Sequence, residues 1–147
     1  MGLFDAIDIS GSALSTERLR MDVTAENLAN AQTTRGANGQ PYRRKAVEVQ
    51  QQPEGTSFGS ALSGAMGSAA GPSGVRVAAI AQDTTPNKMV YDPGHPDANA
   101  QGYVSMPNVD PVSEMVDLIT ESRGYEANVT AMQAAKTMFT KTLDLLR

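Results

Sequence analysis

PVSEMVDLITESRGYEANVTAMQAAKTMFTKTLDLL, residues 111–146, carries the line of apolar positions that decides how this chain is built. Met115, Leu118, Ser122, Tyr125, Val129, Met132, Lys136, Phe139, Leu143 and Leu146 follow one another in alternating steps of three and four. A turn of about 3.6 residues puts such positions on one side of a helix, and a run this long predicts a coiled-coil seam. The d-type positions Leu118, Tyr125, Met132, Phe139 and Leu146 are all apolar or aromatic, whereas Ser122 and Lys136 fall in a-type positions. Polar residues there trade stability for register or choice of partner. Upstream, Asp110 is placed to cap the first turn, and Pro111 suits the first helical position because its missing N–H would have no partner there.

A second stripe runs through the other end of the chain. Leu3, Ile7, Gly11, Leu14, Met21, Ala25 and Leu28 recur at helical spacing, with Arg18 in the remaining seam position. This predicts an amphipathic helix of roughly 40 Å that ends between Thr33 and Gly36. Gly11 weakens the helix locally but permits close approach of a neighbouring backbone. Phe4, Ile9, Leu19 and Val23 lie outside the main stripe and call for a second partner. Asn27 and Asn30, near the helix end, suit capping or hydrogen bonds between subunits, and equally a solvated face.

Between the helices the pattern changes from a period near 3.6 to short β-like runs. Pro41 to Gln50, Val75 to Gln82, Lys88 to Tyr91 and Tyr103 to Met106 read as strands. Asn38-Gly39 and Asp92-Pro93-Gly94-His95-Pro96 read as turns. Pro53 to Gly74 is a Gly/Ser/Ala tract with six glycines, too poor in large side chains to hold a shape unaided. The expected fold class is therefore α+β, mainly α: long terminal helices forming an antiparallel coiled-coil-like pair, with a small β-rich middle domain. The corresponding division is 1–35 and 110–147 for the helical core and 36–109 for the middle, which contains the tract 53–74.

Composition removes several function classes. The 147 residues carry a formal net charge of -4, with no basic stripe for phosphates, so nucleic acid is not an expected partner. Arg43, Arg44 and Lys45 form the one basic run and read as a solvated or interface strand. With no cysteine there is neither a disulfide nor a thiolate site. No window reaches the roughly 20 apolar residues of a membrane span, and the first residues lack the pattern of a cleaved secretory signal. Met1-Gly2 opens like a myristoylation site, but Ala6 stands where Ser or Thr is required. The single histidine, His95, sits between two turn prolines and builds neither a usual zinc site nor a hydrolase triad. No catalytic, metal, cofactor or small-molecule site is expected.

Two helices make a poor core by themselves, because each still exposes about half its circumference. Neighbouring copies are the simplest source of the missing burial, and a heterologous contact that does not close builds a helical tube. Periodicity alone also leaves open a monomeric helical hairpin, or a soluble helical adaptor that binds one partner helix.

Both ends resemble one family. Ile9-Ser10-Gly11-Ser12-Ala13-Leu14, Glu17-Arg18-Leu19-Arg20-Met21 and Glu26-Asn27-Leu28-Ala29-Asn30-Ala31 resemble the N-terminal signature of bacterial flagellar rod and hook axial proteins. Residues Pro107 to Val116, Arg123 to Val129 and Ala135-Lys136-Thr137-Met138 are similar to its C-terminal signature. Within that family the short length, Pro41-Tyr42-Arg43-Arg44, Tyr91 to Ala98 and Gly102-Tyr103-Val104 are similar to members of the proximal rod. The resemblance implies a structural subunit of the flagellar basal body, exported by the flagellum's type III apparatus. It further implies assembly with copies of itself and other rod proteins into a torque-transmitting shaft that surrounds the export channel. The terminal helices would form the inner tube. The residues expected at subunit interfaces are Leu3, Ile7, Leu14, Met21, Leu28, Asn27 and Asn30 on the first helix, and Met115, Leu118, Tyr125, Val129, Met132, Phe139, Leu143 and Leu146 on the second.

Overall fold

The computed structural model describes residues 3–36, 38–52 and 74–145. The order is α1 (Leu3–Ala29), β1 (Lys45–Gln51), β2 (Val75–Gln82), β3 (Lys88–Tyr91), β4 (Tyr103–Met106) and α2 (Pro111–Leu145). Two long helices therefore flank two small sheets, an α+β arrangement that is mainly α. Leu146 and nearly all of the 53–74 tract lie outside the described residues, as does the side chain of Leu3.

Each helix end has a local cause. Asp110 accepts the Val112 N–H at 3.1 Å and the Ser113 hydroxyl at 3.0 Å, while its carbonyl takes the Glu114 N–H at 3.0 Å. Those bonds satisfy donors that a helix start leaves open, and Pro111 contributes none. α1 stops at Ala29, short of the expected Thr33. Asn30 turns its amide onto the Glu26 carbonyl at 2.9 Å and accepts the Thr33 hydroxyl at 3.2 Å. Asparagine and threonine compete with the helical ladder in this way, which apolar periodicity does not register.

The sheets are two-stranded, β1 with β2 and β3 with β4. Asp83 N–H donates to the Arg44 carbonyl at one end of the first pair, and Gln52 N–H to the Gly74 carbonyl at the other, so β1 and β2 run antiparallel. In the second pair Lys88 faces Met106, Met89 faces Ser105, Val90 faces Val104 and Tyr91 faces Tyr103. β1 begins at Lys45 rather than Pro41, because Tyr42 N–H goes to the Thr33 carbonyl and Arg44 N–H to Asn108 Oδ1.

The chain forms two compact units. One comprises Met1–Arg18, Val49–Ala78 and Arg123–Arg147, the other Leu19–Glu48 and Ala79–Ser122. In the first, the Ser12 hydroxyl donates to the Ile9 carbonyl at 2.7 Å and accepts the Val75 N–H at 3.1 Å, tying the start of β2 to α1. A Cβ on Gly74 would collide with Ser12 Oγ, so a larger residue there would displace that hydroxyl from its bonds. Gly11 behaves otherwise: its Cβ would stand 3.8 Å from Met132 Cε, an ordinary contact, so the close approach expected there does not require glycine. In the second unit Val23, Val104 and Val109 are buried together with Thr24, Asn27, Glu114 and Glu121. Val23 needs no external partner, contrary to the expectation from its place outside the α1 stripe. Its burial comes from the turn of the helix toward its own chain.

The 92–102 turn closes on Asn99, whose Oδ1 accepts the Gln101 and Tyr103 N–H groups at 3.0 and 2.9 Å. Gly102 takes φ +80, and a Cβ there would lie 2.9 Å from Tyr91 Cε2. Gly39 has φ +71 with open space around it. Gly39→Ala should therefore cost the backbone strain alone, about 1 kcal/mol. Gly102→Ala should cost more, roughly 2–3 kcal/mol, because strain and steric conflict add. Urea unfolding midpoints of the two variants check the order.

Candidate assembly site

The site grows from a buried polar cluster in the second unit. Asn27, on α1, is 1% exposed and uses its full hydrogen-bonding capacity. Its Nδ2 donates to the Lys45 carbonyl at 2.8 Å and to Glu114 Oε2 at 3.0 Å. Its Oδ1 accepts the Tyr42 hydroxyl and the Lys45 N–H, both at 2.9 Å. Glu114, also 1% exposed, takes Arg44 Nε on its other oxygen at 2.5 Å, and Arg44 Nη2 reaches Asp117 Oδ2 at 3.3 Å. One helical turn earlier on α1, the Thr24 hydroxyl donates to Glu121 Oε1 at 3.2 Å, with Arg20 Nε at 3.7 Å from the same atom. Thr24 faces Glu121 and Asn27 faces Glu114, so these two stretches run in opposite directions.

The electrostatics follow from burial and pairing. The hydrogen bond to Glu114 is the largest influence on Arg44 and raises its pKa above the ordinary arginine value, outweighing the cost of burial. The Tyr42 phenol is pushed up to about 12, first by burial and then by the carboxylates of Glu26 and Glu114. Asp83, at the end of β2, is held below the usual carboxylate range by hydrogen bonds from Thr85. A polar recess of about 200 Å³ lies beside the cluster. Each charged residue that lines it has an ion-pair partner within the chain: Arg20 with Glu121, Arg44 with Glu114 and Asp117, and Lys45 with Glu26. Among the described residues no three His, Asp or Glu side chains converge as a metal set, and no described helix is long and apolar enough to cross a membrane. His95 is half-buried, its Nδ1 accepting the Asp97 N–H at 3.1 Å.

The consequence for α2 is an inverted amphipathicity over its first three turns. Glu114 and Glu121 point inward, while Val112, Met115, Val116 and Ile119 are 64%, 46%, 56% and 54% exposed. Farther along, Ala135 is buried, and Met138, Phe139 and Leu143 are exposed. Of the d-type positions, Leu118, Tyr125 and Met132 are half-buried and Phe139 is exposed. The a-type positions differ. Met115, Lys136 and Leu143 are exposed, and the buried residues stand one position earlier at Glu114, Glu121 and Ala135. A carboxylate is ordinarily excluded from such a line by its desolvation cost, which here is offset by Arg44, Asn27 and Thr24.

The remaining candidate residues divide as follows. Ile7, Leu14, Met21, Leu28, Asn30 and Val129 are half-buried. Asn27 is engaged inside its own chain. Of the basic run, Arg44 and Lys45 are paired within the chain, Lys45 Nζ with Glu26 Oε1 at 2.5 Å, so neither is simply solvated. The sequence reading passed over Val112, Val116 and Ile119, although with Met115 they follow the i, i+3, i+4, i+7 pattern of a helix face. It also passed over Glu114 and Glu121, whose seven-residue spacing was the only local sign of a shared inward face.

Removing the Glu114 carboxylate strands a partly buried guanidinium and an amide. Glu114→Ala should cost roughly 3–5 kcal/mol, whereas Asp117→Ala, at a half-exposed partner, should cost about 0–1 kcal/mol. Denaturant unfolding separates the two. For Tyr42, the folded value of about 12 lies above the ordinary tyrosine value of 10.0, so its contribution is complete below pH 10 and is lost as pH rises toward 12. Tyr42→Phe should lose about 1 kcal/mol at neutral pH, and should flatten the decline in stability across that alkaline window.

Two family models match the chain. Residues 7–37 match "Flagella basal body rod protein", and residues 100–145 match "Flagellar basal body rod FlgEFG protein C-terminal". The flagellar basal-body rod protein FlgC of Bacillus subtilis is 51% identical over 150 residues, covering 99% of either chain. The FlgC of Escherichia coli O157:H7 is 46% identical, covering 99% of this chain and 98% of its own. That of Borreliella burgdorferi is 41% identical, covering 100% and 99%. With both terminal signatures matched and the likeness extending over the whole length, this chain belongs to the family of the flagellar basal-body rod protein FlgC, structural subunits of the bacterial flagellar rod.

Proposed function

We propose that this chain polymerises through its terminal helices, with copies of itself and with other rod proteins, into the tubular shaft that transmits torque and surrounds the export channel. One observation carries the reading. α2 buries the carboxylates of Glu114 and Glu121 and leaves Met115, Met138, Phe139 and Leu143 in water. Each exposed apolar side chain loses roughly 25 cal/mol of favourable burial per Å² left uncovered, and packing against a neighbour recovers it. Over their full length the two helices would pair as an antiparallel coiled coil. They would build the inner layer from residues 1–35 and 110–147 and carry residues 36–109 outward. In this reading Ile7, Leu14, Met21, Leu28, Tyr125, Val129, Met132, Phe139 and Leu143 meet neighbouring subunits. Asn27 shapes that surface from beneath. A shaft under torque needs many contacts loaded together, which long helices side by side provide. The chain reaches the shaft through the export apparatus and performs no catalysis.

Phe139→Asp places a charge on the exposed line and should abolish rod incorporation and motility while export of the chain continues. Leu118→Asp, on the half-buried inner edge, should do the same with an added loss of protomer stability. His95→Ala should leave assembly intact. Swimming assays with fractionation of exported protein check all three, and normal motility of Phe139→Asp overturns the seam.

A further inference from the structure

The chain has seven asparagines, and one of them differs from the rest in two independent respects. Six have their side-chain amides held. Asn27 is bonded at both ends inside the buried cluster. Asn30 and Asn128 each donate to a carbonyl one helical turn back at 2.9 Å, and Asn87 donates to Ser105 Oγ at 3.3 Å. Asn99 accepts within its turn, and Asn108 accepts the Arg44 N–H. Asn38 is exposed, and its amide has no hydrogen-bond partner among the described residues. It is also the one asparagine followed by glycine.

The turn around Asn38 leaves its neighbour's nitrogen accessible. Gly39 N–H donates to the Gly36 carbonyl at 2.9 Å, Gly36 N–H donates to the Gln40 carbonyl at 2.8 Å, and Gly39 takes φ +71. Nothing stands within 4 Å of the place a Gly39 Cβ would occupy. Without a Cβ the residue moves readily between left- and right-handed backbone, and no substituent shields its nitrogen. A bond at an exposed turn opens at little cost, which releases that nitrogen from Gly36.

We propose that Asn38 is a modification site, at which the side-chain amide is lost through a cyclic imide formed with Gly39. The reaction consumes only water. The Gly39 nitrogen gives its proton to a solvent base and bonds to Asn38 Cγ, closing a five-membered ring. The Cγ–Nδ2 bond breaks, and ammonia leaves with a proton from solvent. Water then adds to one of the two ring carbonyls without any change of oxidation state. Breaking the new N–Cγ bond yields aspartate. Breaking the original bond from nitrogen to the main-chain carbonyl carbon yields isoaspartate.

Both products change the turn. Isoaspartate lengthens the main chain by one carbon between Gly36 and Gln40, which upsets the register of their paired bonds. Either product puts a carboxylate beside the recess that Asn38 lines together with Arg43 and Lys45. Lys45 is already paired with Glu26. Arg43 reaches the Asp83 carbonyl at 3.5 Å and has no ion pair among the described residues, so the new charge falls to Arg43.

The site goes beyond the rod reading and is tested on the purified full-length chain. The protein is held in mildly alkaline buffer, where more of the nitrogen is deprotonated, and digests taken over time are followed by mass spectrometry with fragmentation that separates isoaspartate from aspartate. The expected result is conversion at residue 38 at least about tenfold faster than at any other asparagine. Gly39→Ala should slow it about tenfold or more, because the added methyl hinders ring closure. Asn38→Gln, which leaves the glycine backbone untouched, should abolish it, since the longer side chain would have to close a larger ring. A parallel sample unfolded in urea separates sequence from fold. Conversion in urea with none in the folded chain overturns the proposal, as does conversion of another asparagine at the same rate or an unchanged rate in Gly39→Ala.

Discussion

The buried contact of Arg44 with Glu114, closed by Asn27, governs the orientation of everything around it. Taking a carboxylate out of water costs several kcal/mol, and only a guanidinium and an amide at hydrogen-bond distance offset that cost. Well-packed apolar residues of the same volume are often as stabilising, so the cluster contributes orientation more than net stability. A leucine in place of Glu114 would tolerate many rotations of α2. A carboxylate with two assigned partners tolerates one.

That rotation decides which face of α2 meets water. With Glu114 and Glu121 inward, Val112, Met115, Val116 and Ile119 must point outward, because positions on one helix are separated by fixed angles. The energetic penalty of exposing them falls on the isolated subunit. Inward charge and outward apolar surface are thus two sides of one constraint. Such an arrangement suits a subunit that packs against neighbours in a rod.

The cluster also joins distant parts of the chain. Asn27 comes from α1, Tyr42, Arg44 and Lys45 from the approach to β1 and its first residue, Glu114 and Asp117 from α2. Asn108 adds a link by accepting the Arg44 N–H. The strands are short and two-stranded sheets are marginal alone, so these side-chain bonds, together with the Asn99 turn and Gly102, give the middle segment its register. Aromatic contact between Tyr91 and Tyr103 then stiffens a face that has little core beneath it.

Much of the fold was legible along the chain. Steps of three and four predicted both helices, Asp110-Pro111 predicted the start of α2, and alternation with turn residues predicted β2, β3 and β4, because these signals are local and depend on backbone geometry. The rotation of α2 was not legible. Apolar periodicity gives one seam through Met115, Leu118, Ser122, Tyr125, Val129, Met132, Lys136, Phe139, Leu143 and Leu146, whereas the buried residues of α2 are Glu114, Glu121 and Ala135. Nothing near Glu114 in sequence shows that Arg44 and Asn27, 70 and 87 positions away, will arrive to receive its charge. By itself the sequence determined the element order, the caps and the two helical stripes, since each follows from neighbours a few residues apart. Only the tertiary structure decided which stripe faces inward, because a buried carboxylate is admissible solely when partners from other elements converge on it.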